Sequence, residues 1–183
     1  MRKVLYILGQ LTDSDSEWLA KNGICRRIPK GTVLIAEGSV IDKTSMIIDG
    51  TVSISIAKLG EITRLTSGEI VGEISLVDSR PASASVTALT DAVILELPRA
   101  TLNEKIAGDT AFAARFYRAI AMFLADRMRS TVQRMGYGSD SAKISLDEDI
   151  EAEDEIDSEV LDKMHLAGAR FDRIFKRLIS SGK

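Results

Sequence analysis

The sequence predicts a mainly β protein with flanking helices: a β-roll or jelly-roll barrel, a long helix after it, then an acidic linker and an amphipathic tail helix. Three observations carry this. Short runs of period two recur across residues 28–98 between turn residues; the period becomes helical from Arg99; and charge separates into an acidic and then a basic block beyond Gly138.

Residues 1–28 open on a short apolar run, after which Trp18, Leu19 and Ile24 are expected on the inner face of a short helix ending near Asn22 and Gly23. Thr12, Asp13 or Ser14 can each supply an N-cap oxygen, and Glu17 stands three residues after Ser14 as in a capping box. Seven or eight strands follow. The clearest is Thr51–Ile56, where Val52, Ile54 and Ile56 face one way and Thr51, Ser53 and Ser55 face a wetter side. Residues 32–36, 45–49, 83–88 and 92–97 alternate similarly, with Gly31, Gly38, Gly50 and Gly60 at corners.

The long helix, residues 109–135, carries two apolar stripes. One is Phe112, Phe116, Ala119 and Phe123; the other runs through Ala113, Tyr117, Ile120, Leu124, Met128, Thr131 and Met135. A helix lying on one barrel needs one stripe, so the second predicts a homodimer through residues 110–135. Residues 139–162 then hold eleven Asp and Glu against one Lys, and residues 163–183 hold six Lys and Arg against one Asp. The expected organisation is a domain over 1–135 (roll about 28–98, long helix about 109–135), an acidic linker over 136–156 and a tail helix over 157–183. The tail's apolar stripe, Val160, Met164, Ala167, Phe171, Ile174 and Leu178, must be covered by its own domain, a protein partner or an anionic membrane surface.

Composition narrows the function. A single cysteine closes no intramolecular disulfide, and the chain shows no apolar run near eighteen residues, so a cytoplasmic protein is expected. One histidine, His165, falls far short of the histidine cluster that a metal enzyme on a jelly roll requires, and no metal site is expected. Cys25, beside Arg26 and Arg27, reads better as a half-buried thiol than as a nucleophile. The pairs Asp13/Asp15 and Asp147/Asp149 lack the apolar surroundings of a catalytic dyad. The expected protein is not an enzyme.

Residues 68–86, GEIVGEISLVDSRPASASV, hold the densest chemistry. Gly68 and Gly72 allow close backbone approach, Glu73 can accept from a hydroxyl, and Ala82, Ser83, Ala84 and Ser85 leave small side chains around amides that a phosphate could approach.

Over roughly residues 11–135 the chain resembles the cyclic-nucleotide-binding domain of catabolite-activator-like regulators and of the regulatory subunits of cyclic-AMP-dependent kinase. Pro29, Lys30, Gly31, Leu34, Glu37, Gly38 and Asp42 look like that family's second and third strands. Residues 47–52 (IIDGTV) resemble its hairpin, 68–76 (GEIVGEISL) the start of its phosphate-binding cassette, and 109–129 its long helix. The resemblance implies a regulatory module that senses cyclic AMP or cyclic GMP, with no cofactor required. It implies a ligand site at Gly72, Glu73, Ile74, Ser75, Arg80, Ala82, Ser83 and Ala84, in which Glu73 takes the ribose hydroxyl. The family's phosphate-binding arginine is missing: Pro-Arg-Ala-Ala is matched by Pro81, Ala82, Ser83 and Ala84. A charge-assisted contact of about 1.5–3 kcal/mol is thereby lost, roughly one to two orders of magnitude in affinity.

Several alternatives stand at this point. Arg80 either reaches back into the cradle or is aimed outward by Pro81; Ser83 and Ser85 either donate to a phosphate or face solvent; Glu73 either meets a ribose or caps local amides. The barrel is then a sensor signalling through its helices, or a degenerate domain that serves as a protein-interaction scaffold through the tail. DNA binding is not expected, because an acidic stretch follows the long helix where a helix-turn-helix module would stand.

Overall fold

The computed structural model describes residues 9–78, 80–134 and 168–170. Helix α1 (Asp13–Asn22) leads into strands β1 (Ile24–Ile28), β2 (Val33–Ile35), β3 (Lys43–Asp49), β4 (Thr51–Ile56), β5 (Gly60–Thr66) and β6 (Ile70–Val71). Helix α2 (Ile74–Asp78), strands β7 (Ser85–Ala88) and β8 (Ala92–Pro98), and helices α3 (Arg99–Gly108) and α4 (Thr110–Arg134) complete the described order. The strands form two four-stranded antiparallel sheets, β1-β8-β3-β6 and β2-β7-β4-β5.

Strand β3 shows how the layers close. Thr44 through Ile48 are all buried, because the strand lies inside its sheet with both faces covered. Its alternate residues serve two cores: Ile47 packs with Val52, Leu65, Val71 and Val86 between the sheets, whereas Met46 and Ile48 join Leu19, Leu102, Phe112, Phe116 and Phe123 from the helices. The predicted stripe Phe112, Phe116, Ala119 and Phe123 is thus the face that docks on the roll, joined by Ile120 from the second stripe. Leu124 of that stripe is half-buried against the same core, whereas Tyr117 is 42% and Met128 70% exposed. Met135 lies outside the described residues.

Sequence and structure differ at three local points. Ile24 is not on the inner face of α1; it opens β1 opposite Glu96 and is 54% exposed. Gly23 ends the helix in an extended conformation, and the edge strand that follows requires only one covered face. The capping box is built by Thr12 and Asp15, not Ser14 and Glu17: Asp15 N donates to Thr12 Oγ1 at 3.2 Å and Thr12 N to Asp15 Oδ2 at 2.8 Å. Ser53, expected on the wet side of β4, is buried and donates to Glu61 Oε2 at 2.8 Å, because β5 lies across it.

The acidic linker and nearly all of the tail lie outside the described residues. Residues 168–170 are helical, and Arg170 Nε donates to Asp13 Oδ1 at 2.5 Å, so this part of the tail meets the first turn of α1.

Candidate functional site

The cassette is shaped by its glycines before any side chain acts. Gly68 and Gly72 both have positive φ, +88° and +82°. A Cβ at Gly72 would stand 2.8 Å from the Lys43 carbonyl oxygen, so another residue would meet both backbone strain and a clash. Two residues later α2 begins, and Ser75 Oγ donates to the Gly72 carbonyl at 2.8 Å, fastening the turn. Glu73 is thereby placed under the roll with 1% of its surface exposed.

Buried carboxylates need partners, and Glu73 has one that spacing does not reveal. Arg127 Nη1, from α4, donates to Glu73 Oε1 at 2.6 Å, while its guanidinium lies 5.1 Å from the centre of the Phe123 ring. Burial pushes the Glu73 carboxyl above its ordinary range, with Glu69 adding to the rise and Arg127 opposing it. The Glu73 carboxylate thereby ties the cassette to the long helix, a contact absent from both expected roles, ribose acceptor and cap of local amides. Arg127 falls four residues after Phe123, continuing the buried stripe. A cation in that register was the signal available in the sequence.

Beside this pair lies a concavity of about 690 Å³. All eight expected site residues, Gly72, Glu73, Ile74, Ser75, Arg80, Ala82, Ser83 and Ala84, line it. Sequence reasoning did not place Arg127, Thr131 or Ile41 there, nor the apolar wall from Ile54, Ile56 and Leu65. These join the site from strands and a helix distant in the chain.

Arg80 stands at the rim of the concavity. Its side chain is 83% exposed, its Nε lies 3.7 Å from Asp78 Oδ2, and its amide donates to Asp78 Oδ1 at 3.1 Å. Ala82, at the arginine position of the family motif, is buried. Its amide donates to the Ser39 carbonyl at 2.8 Å and its carbonyl accepts from Gly38 N at 2.8 Å. The Ser85 hydroxyl accepts from Glu37 N at 3.0 Å, and Ser83 is exposed. Strand β7 begins at Ser85 rather than Ser83, so Ser83 and Ala84 belong to the cradle loop.

Cys25 is half-buried, and desolvation raises its thiol against the pull of Arg27. No cluster of metal-ligating side chains occurs among the described residues, and none of their helices is long and apolar enough to cross a membrane.

Two packed sheets with a glycine-bounded turn, a buried glutamate and a concavity beside it define a small-ligand-binding β-roll. Residues 25–109 match the cyclic nucleotide-binding domain, and over this part the chain is similar to that family. The chain is 29% identical over 92 residues to a cAMP-dependent protein kinase regulatory subunit of Mucor circinelloides f. lusitanicus, a match covering 50% of this chain and 21% of that protein. Among solved structures it resembles a cyclic nucleotide-binding domain from Methylobacillus flagellatus KT (TM-score 0.66, 22% identity, 78% of this chain and 85% of that one). It also resembles the N-terminal domain of a transcriptional regulator from Streptomyces coelicolor A3(2) (TM-score 0.57, 26% identity, 76% and 99%).

Proposed function

We propose that this chain is a non-catalytic sensor in which a small molecule entering the roll is read out by α4. The observation that carries the reading is the Glu73–Arg127 pair, which joins the binding cassette to the helix at the edge of the concavity. A ligand hydroxyl that donates to the Glu73 carboxylate competes with Arg127 for it. Beyond Leu124, where Met128 is 70% and Val132 39% exposed, α4 leaves its apolar side chains uncovered. Ligand binding then changes the position of that half, which requires different affinities for the two arrangements. Cyclic AMP and cyclic GMP are the ligands that likeness to the family suggests.

The test is hydrogen exchange on the full chain. A ligand shown by calorimetry to saturate the protein should change amide protection across residues 124–134, and Glu73→Gln should abolish that response. Saturation with no change in α4 sinks the sensor reading.

The missing arginine and the occupied Ala82 amide support a second reading, in which the roll is a scaffold and the tail captures a protein partner. Deleting residues 156–183 then abolishes capture while the roll stays folded; unchanged capture excludes it. In either reading the exposed stripe through Tyr117 and Met128 suits self-association along residues 110–135, which sedimentation of the full chain checks.

A further inference from the structure

We infer that the concavity takes an uncharged, hydroxyl-bearing molecule of nucleoside type in preference to a phosphate-bearing one. This rests on the sensor reading and specifies its ligand. The first observation is electrostatic. Two cations line the concavity, and each already faces a carboxylate of the same lining: Arg127 with Glu73 at 2.6 Å and Arg80 with Asp78 at 3.7 Å. Two positive and two negative charges leave the wall neutral, so an incoming anion loses hydration without finding an unpaired cation among the described residues of that lining.

The second observation is steric and concerns the cradle itself. The position from which a guanidinium would reach a phosphate holds the methyl of Ala82, and this residue's amide is committed to the Ser39 carbonyl. Charge and one backbone donor are therefore both withdrawn from the same spot. Arg80 offers no buried replacement: it borders the concavity at the rim, 83% exposed, with Asp78 as its carboxylate partner.

What remains suits a neutral guest. Ile35, Ile54, Ile56, Leu65 and Val86 present an apolar wall on which a planar ring can lie. At the polar end, Glu73 is an acceptor for hydroxyls, and its partner Arg127 is a donor. A hydroxylated molecule with a planar apolar body uses both ends, whereas a phosphate on the same body faces Ala82.

The experiment is calorimetric titration of the full chain with adenosine, guanosine, cyclic AMP and cyclic GMP, on the wild type and on Ala82→Arg. At least one nucleoside should bind the wild type as tightly as its cyclic phosphate or more tightly. Ala82→Arg should shift the ratio of affinities at least tenfold toward the cyclic phosphate. A wild type that binds a cyclic nucleotide tenfold or more above its nucleoside overturns this inference and leaves the sensor reading standing. Binding of a cyclic nucleotide by Ala82→Arg alone, with none of the four held by the wild type, also overturns the preference for nucleosides while showing that the cavity is competent. No binding of any probe to either protein removes the inference and the nucleotide-sensor reading together.

Discussion

Two arginines on α4, about 18 Å apart along the helix, each grip a buried carboxylate, and the two pairs differ in almost everything else. Arg115 meets Asp15 through two contacts, Nε at 2.7 Å and Nη2 at 3.0 Å, and the same carboxylate closes the capping box of α1. Arg127 meets Glu73 through the single contact at 2.6 Å, beside a concavity. Around Arg115 the helix face is sealed by Phe112, Phe116 and Ala119, while beyond Phe123 it opens to Met128 and Val132. Burial does not separate the two pairs, since Glu73 and Arg127 are at least as covered as Asp15 and Arg115; the number of hydrogen bonds does, and on the proposed sensor reading the doubly bonded pair is a fixture and the singly bonded one a latch.

Protonation separates them further. Desolvation pushes Asp15 up, but the Arg115 fork and the Thr12 amide and hydroxyl outweigh it, and the carboxyl ends below its ordinary value of 3.8. Its stabilising contribution is therefore complete above that value and is lost as pH falls through the depressed one. Glu73 ends above its ordinary 4.5, so over that interval the folded state keeps a proton that the unfolded chain has released. Stability attributable to Glu73 falls as pH rises from 4.5 through the raised value.

The largest expected effect tests the fixed half. Phe112→Ala removes a fully buried ring that stacks on Phe116 at 5.5 Å and tilts against Trp18 at 5.6 Å, and should cost about 3–5 kcal/mol in urea denaturation. A cost below about 1 kcal/mol would mean that α4 is not anchored there.

Next comes the charge pair of that half. Arg115→Ala leaves Asp15 buried with its Thr12 contacts only, and because the Arg115 side chain is 33% exposed the loss should be about 2 kcal/mol, below the cost of breaking a fully buried pair. The wild-type stability curve should lose an acid limb below 3.8 when Asp15→Asn is introduced. An unchanged limb contradicts the assignment.

The latch should be weaker. Arg127→Ala is expected to cost about 1 kcal/mol at neutral pH, since Glu73 can take up a proton instead of remaining a bare buried charge. The loss should shrink as pH falls toward 4.5, and Glu73→Gln should flatten the decline in stability above it. Equal pH profiles for Arg115→Ala and Arg127→Ala would erase the distinction between fixture and latch.

How much of this was legible follows from how far apart the partners lie in the chain. The strands were readable because alternation is local, and the cassette because its glycines, Glu73 and Ala82 fall within one stretch of sequence. The pairs were not. Asp15 and Arg115 are 100 residues apart, Glu73 and Arg127 are 54 apart, and each joins two elements that only the closed roll brings together. Ile24 was misplaced for the opposite reason: a β-branched residue beside a helix end satisfies both periods until the pairing with β8 decides.

The smallest effect is the most discriminating for the cradle. Among the described residues, Arg80 is the lining cation nearest in sequence to the phosphate position of the family motif, and its pairing with Asp78 is a surface contact of the kind worth about 0–1 kcal/mol. Arg80→Ala should leave the denaturation midpoint unchanged within error and alter the affinity for adenosine or cyclic AMP less than threefold. A loss of tenfold or more for cyclic AMP alone would mean that the side chain turns inward when an anion arrives, and that the neutrality of the lining is a property of the empty site only. Stability without change and affinity without change, together, leave the Glu73–Arg127 pair as the buried charged contact of the described lining through which this roll addresses its ligand.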